Sequence, residues 1–153
     1  MTGLLFLFVG KTKEGFIREG LEKYAALIKH YVPLEVREIK GSGAKDARTA
    51  VEDEADSILG RLTQTDFLIA LDERGKLFDS RGFAAELGRL MESGRRPVFL
   101  TGGPFGLSDR VRERADVLLS LSKLTFTHEM ARLILSEQVY RALTIIKGKA
   151  YHY

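Results

Sequence analysis

The sequence contains no cysteine. This absence excludes disulfide scaffolds, thiolate zinc sites, iron–sulfur clusters and cysteine nucleophiles. A long apolar run is also missing, because the longest one, Leu4–Val9, covers six residues, whereas a membrane-spanning helix needs about 20. No basic residue precedes this run, and a signal peptide has both a basic segment and a longer apolar core. We therefore expect a cytoplasmic protein with neither a membrane span nor a secretory leader.

The remaining composition is that of an ordinary globular domain. The chain has 153 residues, of which 44% are hydrophobic and 29% are charged. That length predicts one domain, residues 1–153, which can bury its own core. Lys and Arg number 24 against 21 Asp and Glu, and the resulting charge of +3 is compatible with a polyanionic partner but too small to demonstrate one.

Short apolar runs alternate with longer amphipathic segments along the chain. After the first run, Ile17, Leu21, Tyr24, Ile28 and Tyr31 follow at steps of four and three residues, which predicts one face of a helix. In the same way, strands are predicted over 3–9, 34–39, 67–71, 98–100 and 117–121, and helices over 13–31, 47–62, 83–91, 108–114 and 127–146. This alternation predicts an α/β domain with a mostly parallel sheet flanked by helices.

The loops that follow the third, fourth and fifth predicted strands are the candidate binding segments, because ligands of parallel sheets bind beyond the carboxyl ends of the strands. Gly102 and Gly103 allow the backbone to approach a ligand closely, although a tight strand–helix turn would use the same residues. Their spacing, G-G-x-x-G, is not the dinucleotide fingerprint, and Leu5 stands where a Walker loop ending in Gly10-Lys11-Thr12 needs glycine. We expect a mostly neutral ligand held by backbone donors and acceptors.

The last predicted helix is apolar on more than one side. Its apolar residues are Met130, Leu133, Ile134, Leu135, Val139, Leu143 and Ile146. A helix of this kind is buried. Because a small domain seldom buries its final helix internally, we expect a homodimer seam here. Glu137 and Arg141 are spaced for an ion pair on the helix surface, and the three histidines lie too far apart in sequence to predict a metal site.

Several segments together resemble a known family. They are V-G-K (9–11), L-D-E-R-G-K (71–76), T-G-G-P-F-G-L (101–107), L-S-K-L-T-F-T-H-x-M-x-R (121–132), E-Q-V-Y-R-A (137–142) and the terminal A-Y-H (150–152). With these, the whole chain resembles the SPOUT-class ribosomal RNA large subunit methyltransferase H family, also called the YbeA family. The resemblance implies S-adenosylmethionine-dependent methylation of the N3 nitrogen of a pseudouridine in 23S rRNA, on the assembled 70S ribosome. It also implies a homodimer and a C-terminal trefoil knot, which chains otherwise almost never form.

The resemblance implies the site residues as well. The cofactor pocket would contain Leu71, Gly102, Gly103, Leu121, Ser122, Lys123, Leu124, Thr125 and Phe126. The catalytic and RNA-binding side would contain His128, Arg132, Arg141, Tyr151 and His152. One of the two histidines would accept the proton that the N3 imide nitrogen of the pseudouridine loses, and the positive charge of the arginines would favour the resulting anion. The alternatives are a SPOUT methyltransferase for another RNA site, including ribose oxygens, and a non-catalytic ribosome-binding dimer.

Overall fold

Five strands and five helices alternate along residues 3–151, the part of the chain that the computed structural model describes. In chain order they are β1 (Leu4–Val9), α1 (Gly15–Lys29), β2 (Leu34–Ile39), α2 (Ala47–Leu59), β3 (Asp66–Lys76), α3 (Ser80–Glu92), β4 (Arg96–Thr101), α4 (Asp109–Arg114), β5 (Val117–Leu119) and α5 (His128–Ile146). The predicted order and type of every element are confirmed. The main difference is β3, which continues to Lys76 rather than ending at residue 71.

The sheet has the strand order β2-β1-β4-β3-β5, and every neighbouring pair is parallel. All six residues of β1 are buried, because strands lie on both sides of it and helices cover both faces. In β2, by contrast, Leu34 and Ile39 are buried while Glu35 and Val36 are exposed, as expected for an edge strand. The predicted parallel α/β sheet is therefore confirmed.

The two faces of the sheet carry different helices. Leu4, Phe6 and Phe8 of β1 pack in one cluster with residues of α1, α3 and α5. The alternate residues Leu5, Leu7 and Val9 pack in a second cluster with residues of α2 and α4. This division follows from the strand geometry, since successive side chains point to opposite faces.

The last helix, α5, packs against both α1 and α3 on the first face. Leu135, Val139 and Leu143 are completely buried within the single chain, so the expectation that a small domain would not bury this helix internally is wrong for these residues. Of the apolar residues that the sequence singled out on α5, four are only partly buried, namely Met130, Leu133, Ile134 and Ile146, and the neighbouring Ile145 is 38% exposed. The homodimer stays a prediction, and the exposed parts of these five side chains are its candidate apolar surface on α5. No helix in the described part of the chain, α5 included, is long and apolar enough to cross a membrane.

Candidate active site

A cavity of about 620 Å³ lies at the carboxyl edge of the sheet, beyond β3, β4 and β5. Residues 71–74 form one wall, residues 101–107 a second, and much of the segment from Leu119 to His128 a third. Ala131 of α5 and Arg112 of α4 complete the lining. The volume lies in the range of about 300–1,000 Å³ that is usual for small-molecule sites.

The structure brings most of the predicted cofactor residues together at this cavity. Lys123 is exposed and is not among the lining residues. The others line the cavity: Leu71, Gly102, Gly103, Leu121, Ser122, Leu124, Thr125 and Phe126. They come from three loops that are separate in sequence and adjacent only because β3, β4 and β5 are neighbours in the sheet. Their binding of a cofactor stays a prediction.

The glycine-rich turn after β4 leaves no room for a side chain at position 102. A Cβ atom on Gly102 would lie 2.8 Å from the carbonyl oxygen of Gly106 and 2.9 Å from Leu107 Cδ2. The turn is closed by a hydrogen bond from the Gly106 amide to the Gly103 carbonyl at 3.0 Å, and Gly106 has a φ of +79°. The turn therefore requires glycine for its own packing and presents bare backbone to the cavity.

The opposite wall is a bulge in β3. Leu71 and Lys76 both pair with Leu119, so residues 72–75 project between them. Gly75 crosses β5 so closely that a Cβ atom there would lie 2.5 Å from the Leu118 carbonyl oxygen. This close crossing requires glycine at position 75 and places the side chains of the bulge beside the cavity.

Asp72 ties this bulge to α4. Its Oδ2 accepts a hydrogen bond from Arg112 Nε at 2.7 Å, and its Oδ1 accepts one from the Arg74 amide at 2.9 Å. Although burial by itself would raise the pKa of Asp72, these hydrogen bonds and the positive charge of Arg112 lower it to about 2. The carboxylate is thus charged at neutral pH and holds the wall in place.

Sequence reasoning missed Asp72, Arg74 and Arg112 as residues of the cavity wall. The L-D-E-R-G-K segment identified the loop, but Asp72 and Arg112 are 40 residues apart, and no periodicity relates them. Only the packing of α4 against β3 brings them into contact.

Among the predicted catalytic residues within residues 3–151, His128 is the one that lines the cavity. It is the first residue of α5, and the preceding Thr127 caps the helix by accepting a hydrogen bond from the Met130 amide at 3.2 Å. Burial lowers the pKa of His128 below its ordinary value, and the nearby charge of Arg132 lowers it further. The imidazole is therefore neutral at pH 7 and able to accept a proton.

Arg132 lies one turn further along α5, is completely buried and is not among the lining residues. Its Nη1 donates a hydrogen bond to Thr12 Oγ1 at 2.7 Å, and its Nη2 donates to the Val9 carbonyl at 2.6 Å. Glu38 lies 3.4 Å from Nη1, and the Phe8 ring lies 5.0 Å from the guanidinium. Arg132 thus holds the chain after β1, and we expect it to act on the site through position rather than contact.

The other two predicted residues within the described chain, Arg141 and Tyr151, gather around Glu137. Arg141 Nη2 and the Tyr151 hydroxyl both donate to Glu137 Oε1, at 2.7 and 2.6 Å. The Arg141 guanidinium lies 3.8 Å from the centre of the Tyr151 ring. Burial and the hydrogen bond to Glu137 raise the pKa of Tyr151, so the phenol stays protonated. His152 lies outside the described residues.

Comparison with known proteins gives concordant matches over nearly the whole chain. Residues 3–152 match the family model described as Predicted SPOUT methyltransferase. A curated relative from Desulfotalea psychrophila, named Ribosomal RNA large subunit methyltransferase H, is 45% identical over 147 residues, which are 95% of this chain and 96% of the relative. A relative of the same name from Geobacter metallireducens is 42% identical over 154 residues, covering 98% of each chain.

Two solved structures share the fold at low sequence identity. A probable methylase family protein from Haemophilus influenzae Rd KW20 has a TM-score of 0.57 and 11% identity, with 99% of this chain and 71% of that chain covered. The SpoU methyltransferase AviRb from Streptomyces viridochromogenes, in complex with the cofactor AdoMet, has a TM-score of 0.50 and 16% identity, with coverages of 97% and 59%. At such identities the likeness shows the fold alone.

Proposed function

The chain belongs to the SPOUT methyltransferase family, and from this premise we propose that it methylates ribosomal RNA with S-adenosylmethionine as the methyl donor. The proposed target is the N3 nitrogen of a pseudouridine in 23S rRNA within the assembled 70S ribosome. The relatives' names support an rRNA target, and the family resemblance of the segments at 71–76, 101–107 and 121–132 supports the specific base.

The observation that carries the proposal is the convergence of three strand-end loops on one cavity. Eight residues that the family resemblance assigns to the cofactor line it, and the bare backbone at Gly102 permits close approach by a ligand. The apolar side chains of Leu71, Leu119 and Leu121 suit an adenosyl group, while main-chain groups of the glycine turn suit its polar edges. The residues present therefore fit S-adenosylmethionine.

S-adenosylmethionine supplies, when bound, an electrophilic methyl group on a sulfonium. The chain's own task is to align the target nitrogen with that methyl and to remove the proton from nitrogen, since in-line alignment contributes much of the rate. A base takes the proton from N3, the electron pair of that N–H bond forms the new N–CH3 bond, and the methyl–sulfur bond would break with its electron pair remaining on sulfur as a neutral thioether. His128 is the proposed base, because it lines the cavity and its lowered pKa leaves it neutral at pH 7.

Arg141 and Tyr151 are proposed to serve the RNA side. Arg141 lies 13 residues beyond His128 on α5, which places it about 20 Å along the helix axis at about 1.5 Å per residue. At that separation these side chains do not reach the ligand of their own cavity, and we propose that they contact RNA bound outside it. The homodimer and the C-terminal trefoil knot implied by the family resemblance belong to the same proposal.

Mass spectrometry of rRNA nucleosides from a deletion strain tests this function. Loss of one methylpseudouridine, restored by the intact gene but not by a Gly102→Val variant, is the expected result. Loss of a different methyl mark would indicate another RNA target. An unchanged nucleoside profile, together with binding of the purified protein to ribosomes, would favour a non-catalytic ribosome-binding protein.

A further inference from the structure

Two buried side-chain polar atoms have no hydrogen-bond partner within residues 3–151: Thr101 Oγ1 and Arg132 Nε. Thr101 is only 2% exposed, and Arg132 is fully buried. More than about nine in ten buried polar groups in native structures are paired, so each exception requires an explanation. For Thr101 the absence of a partner is informative because valine has the same shape and would avoid the cost of burying an unpaired hydroxyl.

Both residues lie on the sheet face that α5 covers. Thr101 is the last residue of β4, lines the cavity, and is directly followed by the Gly102-Gly103 turn. In the sheet it pairs with Phe8, over whose ring the Arg132 guanidinium lies at 5.0 Å. Residues that pair on neighbouring strands point to the same face, so the side chains of Thr101 and Phe8 are neighbours. Thr101 and Arg132 are therefore both next to Phe8.

We propose that the Thr101 hydroxyl hydrogen-bonds to the methyl donor in the cavity and contributes to its affinity. This inference rests on the proposed function, which places the methyl donor there. Thr101 is a lining residue of the cavity, and its hydroxyl oxygen is buried without a partner within residues 3–151. The proposal requires the buried hydroxyl to turn towards the ligand on binding, by a rotation about χ1 to another staggered position. A ligand that supplies a partner for the oxygen offsets the cost of that rotation.

The competing explanation is an internal water molecule that bridges Thr101 Oγ1 and Arg132 Nε. Buried waters commonly satisfy such groups and are costly to remove. The two explanations predict different behaviour of the protein without ligand. A bridging water makes the Thr101 hydroxyl part of the folded structure, so its removal would lower stability. A ligand contact makes the hydroxyl dispensable until the methyl donor binds.

Thr101→Val separates them when stability and S-adenosylmethionine affinity are measured on the same full-length protein. We expect urea denaturation without ligand to show an unchanged or higher unfolding free energy. Calorimetric titration should show S-adenosylmethionine binding about 3- to 10-fold more weakly, as for loss of one net hydrogen bond. Thr101→Ser, which keeps the hydroxyl, should retain most of the affinity.

Thr144→Val is the matched control, because Thr144 is equally buried at 1% exposure but its hydroxyl donates to the Arg141 carbonyl at 2.6 Å. It should show the opposite pattern, a loss of stability with unchanged affinity for S-adenosylmethionine. If Thr101→Val keeps full affinity, or loses stability as Thr144→Val does, the proposal is overturned. Gly102→Val tests the proposed function itself. If that variant also binds S-adenosylmethionine normally, the methyl donor does not occupy this cavity.

Discussion

Replacing Asp72 by asparagine is expected to destabilise the folded protein by about 2 kcal/mol at pH 7. Asparagine has nearly the same shape but no charge, so the change removes the ion pair with Arg112 without opening a cavity. The Asp72 side chain is 6% exposed and that of Arg112 is 27% exposed, so water screens this pair far less than an ordinary surface pair.

The magnitude follows from the pKa of Asp72. Lowering that pKa from 3.8 to about 2 on folding corresponds to roughly 2 kcal/mol of stability when the carboxyl is charged. A carboxyl whose folded pKa is depressed stabilises the protein above its unfolded pKa and loses this contribution as the pH falls through its folded pKa. The difference between the two proteins should therefore be complete at pH 7 and fall to about half of that value at pH 3.

Urea denaturation of both proteins at pH 7 and pH 3 measures this difference directly. Asp109→Asn is the matched control, since Asp109 pairs with the same Arg112 at 3.2 Å but its side chain is 92% exposed. We expect the control to cost less than about 0.5 kcal/mol at either pH, as exposed pairs do. Equal effects of the two substitutions, or a pH-independent effect of Asp72→Asn, would refute the reasoning that burial and hydrogen bonding make this pair strong.

Four further predictions address the site and the assembly. Gly102→Val should abolish S-adenosylmethionine binding in calorimetry, because a side chain there meets the Gly106 carbonyl; unchanged affinity would contradict the cavity assignment. The methylation rate should stay constant above pH 7 and fall at acid pH with an apparent pKa below 6.5, because His128 becomes protonated. A rate that already falls above pH 7 as the pH is lowered would exclude His128 as the base. Sedimentation should show a homodimer, and a stable monomer of 17.2 kDa at micromolar concentration would contradict it. Deleting residues 151–153 should stop methylation of 70S ribosomes while the melting temperature and the cofactor affinity stay unchanged. If stability falls first, the tail serves packing, which the hydrogen bond from Tyr151 to Glu137 would explain. A truncated protein that is stable and fully active would refute both explanations.

Local pattern was sufficient to predict the elements of this fold. The steps of four and three residues from Ile17 to Tyr31 predicted α1, and the continuous apolar run Leu4–Val9 predicted a buried strand, because burial on each face imposes its period on the sequence. Strand–helix alternation then predicted parallel pairing and the edge at which a ligand would bind. Family resemblance, rather than pattern, predicted which residues of those loops line the cavity.

The apolar surface of α5 shows where pattern fails. The sequence shows that the helix is apolar on several sides, but not what covers each side. The structure places α1, α3 and the sheet against the helix, so Leu135 and Val139 are buried within one chain. Hydrophobic burial has no direction, and the same residues would suit an internal core or a subunit interface.

The sequence by itself determined the order of the elements, the parallel sheet and the loops that converge at its carboxyl edge, because these depend on local periodicity and chain direction. Only the tertiary structure decided the partners of individual polar groups. Arg132 binds Thr12 across 120 residues of sequence, Asp72 binds Arg112 across 40, and the Thr101 hydroxyl has no partner within residues 3–151. Hydrogen bonds depend on distances of about 3 Å and on the direction of each donor, and no spacing along the chain specifies these.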